Sequence, residues 1–162
     1  MATDTTLDPD ALELIESIRS GKALDAIQSS VQESPHELVA SAYLARLIRQ
    51  NIHQQPELAF EEHRTASMVA SMLRMWGYEV HEGIGKTGLV GVMTFGSPNE
   101  SSGQAMPGFG FRADMDALPI QEQTGKTYAS RRAGLMHACG HDGHTASLLG
   151  AARMIAQLKA SG

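Results

Sequence analysis

Apolar residues recur at spacings of three and four along much of the chain, which is the pattern of amphipathic helices. The first such helix is predicted to begin after Asp8 as its N-cap, with Pro9 in its first turn and Gly21 at its end. A Ser-Pro-His-Glu capping box at 34–37 predicts the start of another helix. The predicted helices cover residues 9–20, 23–31, 35–51, 62–76 and 142–158.

A methionine stripe marks the helix predicted over residues 62–76, where Met68, Met72 and Met75 lie on one apolar face. Methionines at this spacing are more typical of a packed core than of a cofactor site. We therefore predict that this face is buried.

The periodicity changes to that of strands from Tyr78 onward. Residues 78–82 can form one strand, and residues 88–95 (GLVGVMTF) are nearly all apolar, as in a strand covered on both faces. A Gly-, Ser- and Pro-rich loop is predicted over 96–108, and an apolar strand at the start of 109–120. The order of elements predicts an α/β domain with helices packed on a mixed sheet.

Composition narrows the possible classes of protein. The 162 residues suffice for one domain with a real core, and 42% hydrophobic with 19% charged residues indicate a globular chain. A net charge of −5 with no basic cluster argues against a nucleic-acid partner. The acidic N-terminus is unlike a signal peptide, and no apolar run is long enough to span a membrane. The single cysteine fits a reducing compartment. We therefore expect a cytoplasmic protein.

The densest chemistry lies in residues 136–145, MHACGHDGHT. In extended backbone His137, Cys139 and His141 would face one point, and Gly140 permits a tight turn between them. A helix that starts just after this point directs its positive end there, which favours a thiolate. Sulfur and nitrogen donors suit zinc and its first-row neighbours better than calcium or magnesium.

Two aspartates follow the predicted strand at 109–113, at the kind of position where open α/β sheets place ligand sites. Asp114 and Asp116 could serve one site, with one touching a metal and the other orienting a histidine. Both are equally suited to forming a turn before Pro119, and a lone cysteine is usually a small core residue. His53 and Glu57 are interpreted as a hydrogen-bonded pair at a helix end rather than as ligands.

Three motifs in this order resemble the M20 metallopeptidase family: HQQPELAFEE (53–62), FRADMDALPIQEQTG (111–125) and MHACGHDGHTASLLGAA (136–152). The amidohydrolases of N-acyl amino acids, hippurate and auxin–amino acid conjugates are the most similar branch. The resemblance covers about residues 38–160. It implies that residues 35–162 are the N-terminal portion of a catalytic domain. Residues 1–34 lie outside the resemblance, and their helical pattern predicts an N-terminal helical extension.

The resemblance also implies residue roles. Cys139 and His141 match metal ligands, whereas Asp114 and Asp116 match catalytic acidic positions. His137 and His144 match motif positions that support the site. These roles follow from the family pattern alone.

The activity that the resemblance implies is hydrolysis of the amide bond in an N-acyl amino acid by a metal-bound water, with a glutamate as general base. Family members bind two divalent ions (zinc, manganese, cobalt or nickel) and form homodimers through a further domain. The base lies downstream of the cysteine motif, but no Asp or Glu follows Asp142 here. We therefore expect a truncated chain that is weakly active or inactive alone.

Two other hypotheses remain open at the level of sequence. A non-catalytic module could use the H-x-C-x-H loop to hold one ion, or Cys139 could act as the nucleophile of a hydrolase. Metal binding that is lost on Cys139→Ser favours either of the metal hypotheses. Rapid alkylation of Cys139 that ignores chelators favours the nucleophile.

Overall fold

The computed structural model describes residues 7–20, 22, 36–96 and 108–161. Its elements, in chain order, are helices α1 (Pro9–Arg19), α2 (His36–Gln54) and α3 (His63–Met75), strands β1 (Glu79–Ile84) and β2 (Gly88–Val92), and helix α4 (His141–Ser161). Helices packed on a small sheet confirm the α/β class. None of the described helices combines the length and the apolar character that crossing a bilayer requires.

Helix α1 forms as its sequence predicts. The Asp8 side chain accepts a hydrogen bond from the Ala11 amide at 3.2 Å, and Pro9 occupies the first turn. Ala11, Ile15 and Ile18 are buried, so the helix rests on the rest of the chain through one apolar face. Asp8 also forms an ion pair with Arg64 near the start of α3.

Replacing Asp8 by alanine is expected to lower the free energy of unfolding by about 1 kcal/mol, because the Ala11 amide loses its cap. Asp8→Asn keeps a capping oxygen and removes only the charge facing Arg64, so it is expected to recover most of the loss. Urea denaturation of both variants measures the difference. Equal midpoints for Asp8→Ala and the wild type would contradict the capping role.

The core lies mainly between α2 and α4, with α3 beside them. The methionine stripe of α3 is buried as predicted, since Met68 and Met72 are fully covered. Helix α4 lies directly against α2 at Gly150, where a Cβ would make an ordinary van der Waals contact of 3.6 Å with the Cβ of Ala45. The largest buried side chains of α2 and α4 are Leu44, Ile48, Ile52 and Leu149.

Strands β1 and β2 form an antiparallel hairpin, with Glu79 opposite Val92 and an irregularity between Glu82 and Ile84. One face of the hairpin packs on the core through residues such as Leu89. The prediction that residues 88–95 are covered on both faces is wrong, because Val90 is 46% exposed. Strand β2 pairs with β1 alone, and no described element covers its other face.

The strand predicted at 109–113 does not form in the described part of the chain. Phe109 is 93% exposed, and the segment pairs with no other strand. An isolated strand leaves its amides and carbonyls to water and gains nothing from its apolar residues. The described sheet is accordingly a two-stranded antiparallel one rather than a mixed one.

Several predictions fall outside the described residues. They are the helix over 23–31, the terminating role of Gly21, the capping box at 34–37 apart from the observed helix start at His36, and nearly all of the loop over 96–108. The division of the chain at residue 34 stays a prediction.

Candidate functional site

The segment that carries the two aspartates lies directly beside the H-x-C-x-H loop. Leu118 and Met136 exchange two backbone hydrogen bonds of 2.9 and 3.0 Å, forming an isolated antiparallel bridge. The hydroxyl of Thr145, in the first turns of α4, donates to the Asp114 carbonyl at 2.9 Å. Two motifs that are about twenty residues apart in sequence therefore meet at the start of α4.

The contact that defines this site is between His141 and Asp116. His141 Nδ1 lies 2.9 Å from Asp116 Oδ1 and 3.0 Å from the Asp116 carbonyl oxygen. The carbonyl and the carboxylate oxygen accept, so Nδ1 donates, and in the neutral imidazole Nε2 then has its lone pair available to a ligand. A carboxylate or carbonyl that fixes the tautomer of a histidine in this way is the usual support of a metal-binding imidazole.

Cys139 is a free, exposed thiol two residues before His141. Between them Gly140 has φ 88°, a left-handed conformation that glycine adopts without strain. Its carbonyl accepts hydrogen bonds from the Gly143 and His144 amides at 2.9 and 3.1 Å, so the turn leads directly into α4. Cys139 consequently lies in the turn that precedes the positive end of that helix.

The Asp114 carboxylate has a different partner from that of Asp116. Arg112 donates to Asp114 Oδ1 at 2.7 Å, in a pair that is largely exposed. The two carboxylates therefore do not share a partner, although they are two residues apart. His144 is exposed, and its ring centroid lies 5.5 Å from that of His141.

His137 lies in the interior, whereas Cys139 is exposed. The His137 side chain is 3% exposed, its ring centroid lies 6.2 Å from that of His53, and neither ring nitrogen has a hydrogen-bond partner among the described protein groups. The prediction that His137, Cys139 and His141 face one point is wrong for His137, because its ring is buried whereas the Cys139 thiol is exposed.

The sequence and the fold both match known proteins. The family model described as "Peptidase family M20/M25/M40" matches residues 110–162. The chain is 51% identical over 115 residues to hippurate hydrolase of Campylobacter jejuni, covering 71% of this chain and 28% of that protein. It is 42% identical over 111 residues to the N-acyl-L-amino acid amidohydrolase of Geobacillus stearothermophilus, covering 68% and 28%.

A solved structure agrees with this assignment. The YXEP protein of Bacillus subtilis, described as a dinuclear metal binding peptidase from the M20 family, superposes with a TM-score of 0.65 at 36% identity. The match covers 75% of this chain and 32% of that one. The chain belongs to the M20 family. It spans less than a third of the length of these M20 relatives.

The loop of this M20 chain fits a transition-metal ion as part of a donor set. An exposed thiol and an imidazole held by a carboxylate are the donor types that zinc and its neighbours take. Within residues 7–20, 22, 36–96 and 108–161, no three His, Cys, Asp or Glu side chains are arranged to hold an ion by themselves. Cys139 and His141 would therefore need further donors to complete a metal centre.

A buried ionic network lies beneath this loop in the M20 chain, and the sequence did not reveal it. Asp142 Oδ2 is 2.8 Å from His53 Nδ1 and 3.1 Å from Arg49 Nε. The second ring nitrogen of His53 is 3.3 Å from Glu122 Oε1. Burial alone would raise the pKa of Glu122, but hydrogen bonds from Thr124, Ser130 and His53 outweigh it and lower that pKa.

The predicted pair between His53 and Glu57 is wrong. His53 bonds to the network, whereas Glu57 caps α3 by accepting from the Arg64 amide at 2.9 Å and from the Thr65 amide and hydroxyl at 2.9 and 2.8 Å. The signal for the second role was present, because a carboxylate shortly before a helix start complements its unpaired amides.

The buried position of His137 predicts a pH dependence of stability. Burial lowers its pKa from 6.5 to about 4, the nearby histidines add to this, and Asp142 and Asp116 oppose it. The unfolded chain then binds a proton near pH 6.5, whereas the folded chain does so only near pH 4. Above pH 6.5 the buried neutral ring does not reduce the free energy of unfolding. That free energy falls as the pH drops from 6.5 towards about 4.

We expect about 1 kcal/mol less free energy of unfolding at about pH 5.5 than at about pH 7, with chelator present. Urea titrations at both values measure it. His137→Asn removes the titrating ring, so its stability should change less between the two pH values than that of the wild type. Identical changes in the two proteins would show that the buried ring is not responsible.

Proposed function

We propose that this chain forms part of the active site of a metal-dependent amidohydrolase that cleaves the amide bond of N-acyl amino acids. The observation that carries the proposal is the His141 imidazole fixed by Asp116, two residues after the free, exposed thiol of Cys139. The M20 relatives named hippurate hydrolase and N-acyl-L-amino acid amidohydrolase support the substrate class.

The proposed residue roles combine the M20 motif positions with the contacts that each group makes. Cys139 and His141 would bind a divalent ion, and the pair of ions expected in the full-length enzyme would be zinc, manganese, cobalt or nickel. When bound, such ions activate water and polarise the scissile carbonyl. Asp116 holds the His141 ring with Nε2 available to the ion. Asp114, which pairs with Arg112 on the same segment, matches the other catalytic acidic position of the M20 pattern, and His137 and His144 support the loop. The general base is proposed to be a glutamate downstream of the cysteine motif in the full-length enzyme.

We further propose that the 162-residue polypeptide alone hydrolyses such substrates weakly or not at all. The described residues offer no three-donor metal site, and a two-ion centre needs more donors than Cys139 and His141. The full-length form is proposed to be a cytoplasmic homodimer. Supplying the C-terminal part of a full-length relative, such as the Campylobacter hippurate hydrolase, should restore turnover of N-benzoyl and N-acetyl amino acids.

Cobalt binding tests the proposed metal role of the loop. Titration of the chain with Co²⁺, followed by the near-ultraviolet absorption of a cobalt–thiolate bond, should show about one ion per chain. Cys139→Ser should abolish the thiolate absorption, and His141→Ala should weaken binding at least about tenfold. His81→Ala, which alters an exposed histidine on β1, is the matched control. Binding that is indifferent to Cys139 and His141 would refute the proposal.

The second candidate is a non-catalytic metal-binding module, and the exposure of Cys139 with an incomplete donor set among the described residues favours it. It predicts the same cobalt spectra. It also predicts that no substrate is hydrolysed when the C-terminal part of a relative is supplied and shown to associate with the chain. Turnover in that complex would exclude it.

A further inference from the structure

His53 is held at both ends in the interior of the protein. It is the last residue but one of α2, is 4% exposed, and each of its ring nitrogens faces a carboxylate oxygen. The contact from Nδ1 to Asp142 is the shorter, at 2.8 Å, and that from Nε2 to Glu122 is 3.3 Å. Because a carboxylate can only accept, the shorter contact requires a hydrogen on Nδ1.

Asp142 has no solvent exposure and receives both of its donors on one oxygen. His53 reaches that oxygen from inside the protein, and Arg49 reaches it from a half-exposed position at 3.1 Å. The other oxygen, Oδ1, is buried without a partner among the described residues. The direction of this carboxylate is thus set by α2 rather than by its own helix.

Asp142 follows His141 directly in the first turn of α4. Consecutive residues of a helix are about 100° apart around its axis, so fixing one side chain against α2 fixes the direction of its neighbour. His141 in turn depends on that direction, since its ring must meet Asp116 at 2.9 Å. A small rotation of the first turn would break this contact.

We propose that His53 is a positioning residue for the metal-binding loop, and that it acts through the contact between its Nδ1 and Asp142. This inference rests on the proposed function in that His141 is taken as a metal ligand. The statement that His53 sets the orientation of His141 does not depend on a bound metal. If His53 only filled space in the core, loss of its contact to Asp142 and loss of its contact to Glu122 would have the same effect on His141.

Two substitutions separate the contacts. The amide nitrogen of asparagine lies near the position of Nδ1, so His53→Asn can keep the hydrogen bond to Asp142. The longer His53→Gln places its amide near Nε2 and keeps only the contact to Glu122. Both remove the ring, so both are expected to lower the melting temperature.

The first readout is metal-free: the ¹⁵N signals of the His141 imidazole, measured with chelator, report whether Nδ1 carries its hydrogen and bonds to Asp116. The second is the Co²⁺ affinity measured by thiolate absorption. We expect His53→Asn to retain the His141 signals and an affinity within about twofold, whereas His53→Gln changes the signals and weakens binding about tenfold or more. Glu122→Gln, which leaves the Asp142 contact in place, should behave like His53→Asn.

Equal effects of the two His53 variants on His141, or no effect of either despite lower melting temperatures, would overturn the proposal. If the wild type binds no Co²⁺, the metal role fails, but the imidazole signals still decide whether His53 orients His141. If His53→Gln does not fold, His53→Asn decides alone, because it keeps the contact to Asp142 and gives up the contact to Glu122. Changed His141 signals in that variant would then overturn the proposal.

Discussion

The Asp142→Ala variant is expected to lose about 3–5 kcal/mol of free energy of unfolding, the largest loss that we predict here. Asp142 is fully buried, and its carboxylate balances the buried ring of His53 and the guanidinium of Arg49. Removing one partner of a buried charged network leaves the others desolvated without compensation. The loss should appear as a lower urea midpoint with an unchanged dependence on urea concentration.

Two controls separate this effect from simple loss of a contact. Asp142→Asn preserves shape and one accepting oxygen, so it should be less destabilising than alanine. Asp10→Ala removes a carboxylate from the exposed ion pair with Arg131, which is expected to contribute about 1 kcal/mol or less, the usual value at a surface. If Asp142→Ala were no more destabilising than Asp10→Ala, the network would not hold α4 against α2.

The Glu57→Ala variant is expected to lose about 3 kcal/mol of free energy of unfolding, the second-largest effect. Its buried carboxylate accepts three hydrogen bonds at the start of α3, from the Arg64 amide and from the Thr65 amide and hydroxyl. Such bonds to a charged acceptor are stronger than neutral ones, and the donors would be left in a largely buried site. Thermal and urea unfolding of the variant both report the loss.

Glu61→Ala is the matched control, because Glu61 is an exposed carboxylate that lies only two residues before α3. It shares the charge of Glu57 and its nearness to the helix end, but its location in solvent predicts a change within about 0.5 kcal/mol. Similar losses at both positions would mean that general charge near the helix, rather than the specific bonds of Glu57, stabilises α3.

Local signals in the sequence were sufficient for the helices that the structure describes. The Asp8-Pro9 pair marks the start of α1, and the spacing of Met68 and Met72 marks the buried face of α3, because both depend on residues within a few turns. The clustering of chemistry at 136–145 was equally local. The contact between His141 and Asp116 was predicted only in part: the sequence indicated that one of the two aspartates could orient a histidine, but not which one.

Long-range partners could not be inferred from the sequence in the same way. His53 and Asp142 are 89 positions apart, and a local pairing of His53 with Glu57 would have satisfied the same chemistry. The strand expected at 109–113 failed for a related reason, since a strand forms only where a neighbour supplies hydrogen bonds. Both errors concern contacts that the fold, rather than the neighbouring sequence, determines.

The double contact of His141 with Asp116 affects how substitutions at position 116 should be interpreted. One of the two acceptors is the main-chain oxygen, which every amino acid carries. An alanine scan deletes side chains only, so an Asp116→Ala protein would keep the hydrogen bond from His141 to the main-chain oxygen. The effect measured for this variant would therefore understate the importance of the contact between the two residues. Replacing the peptide bond after Asp116 by an ester weakens the carbonyl oxygen as an acceptor, and this change would measure the contribution of the main-chain contact.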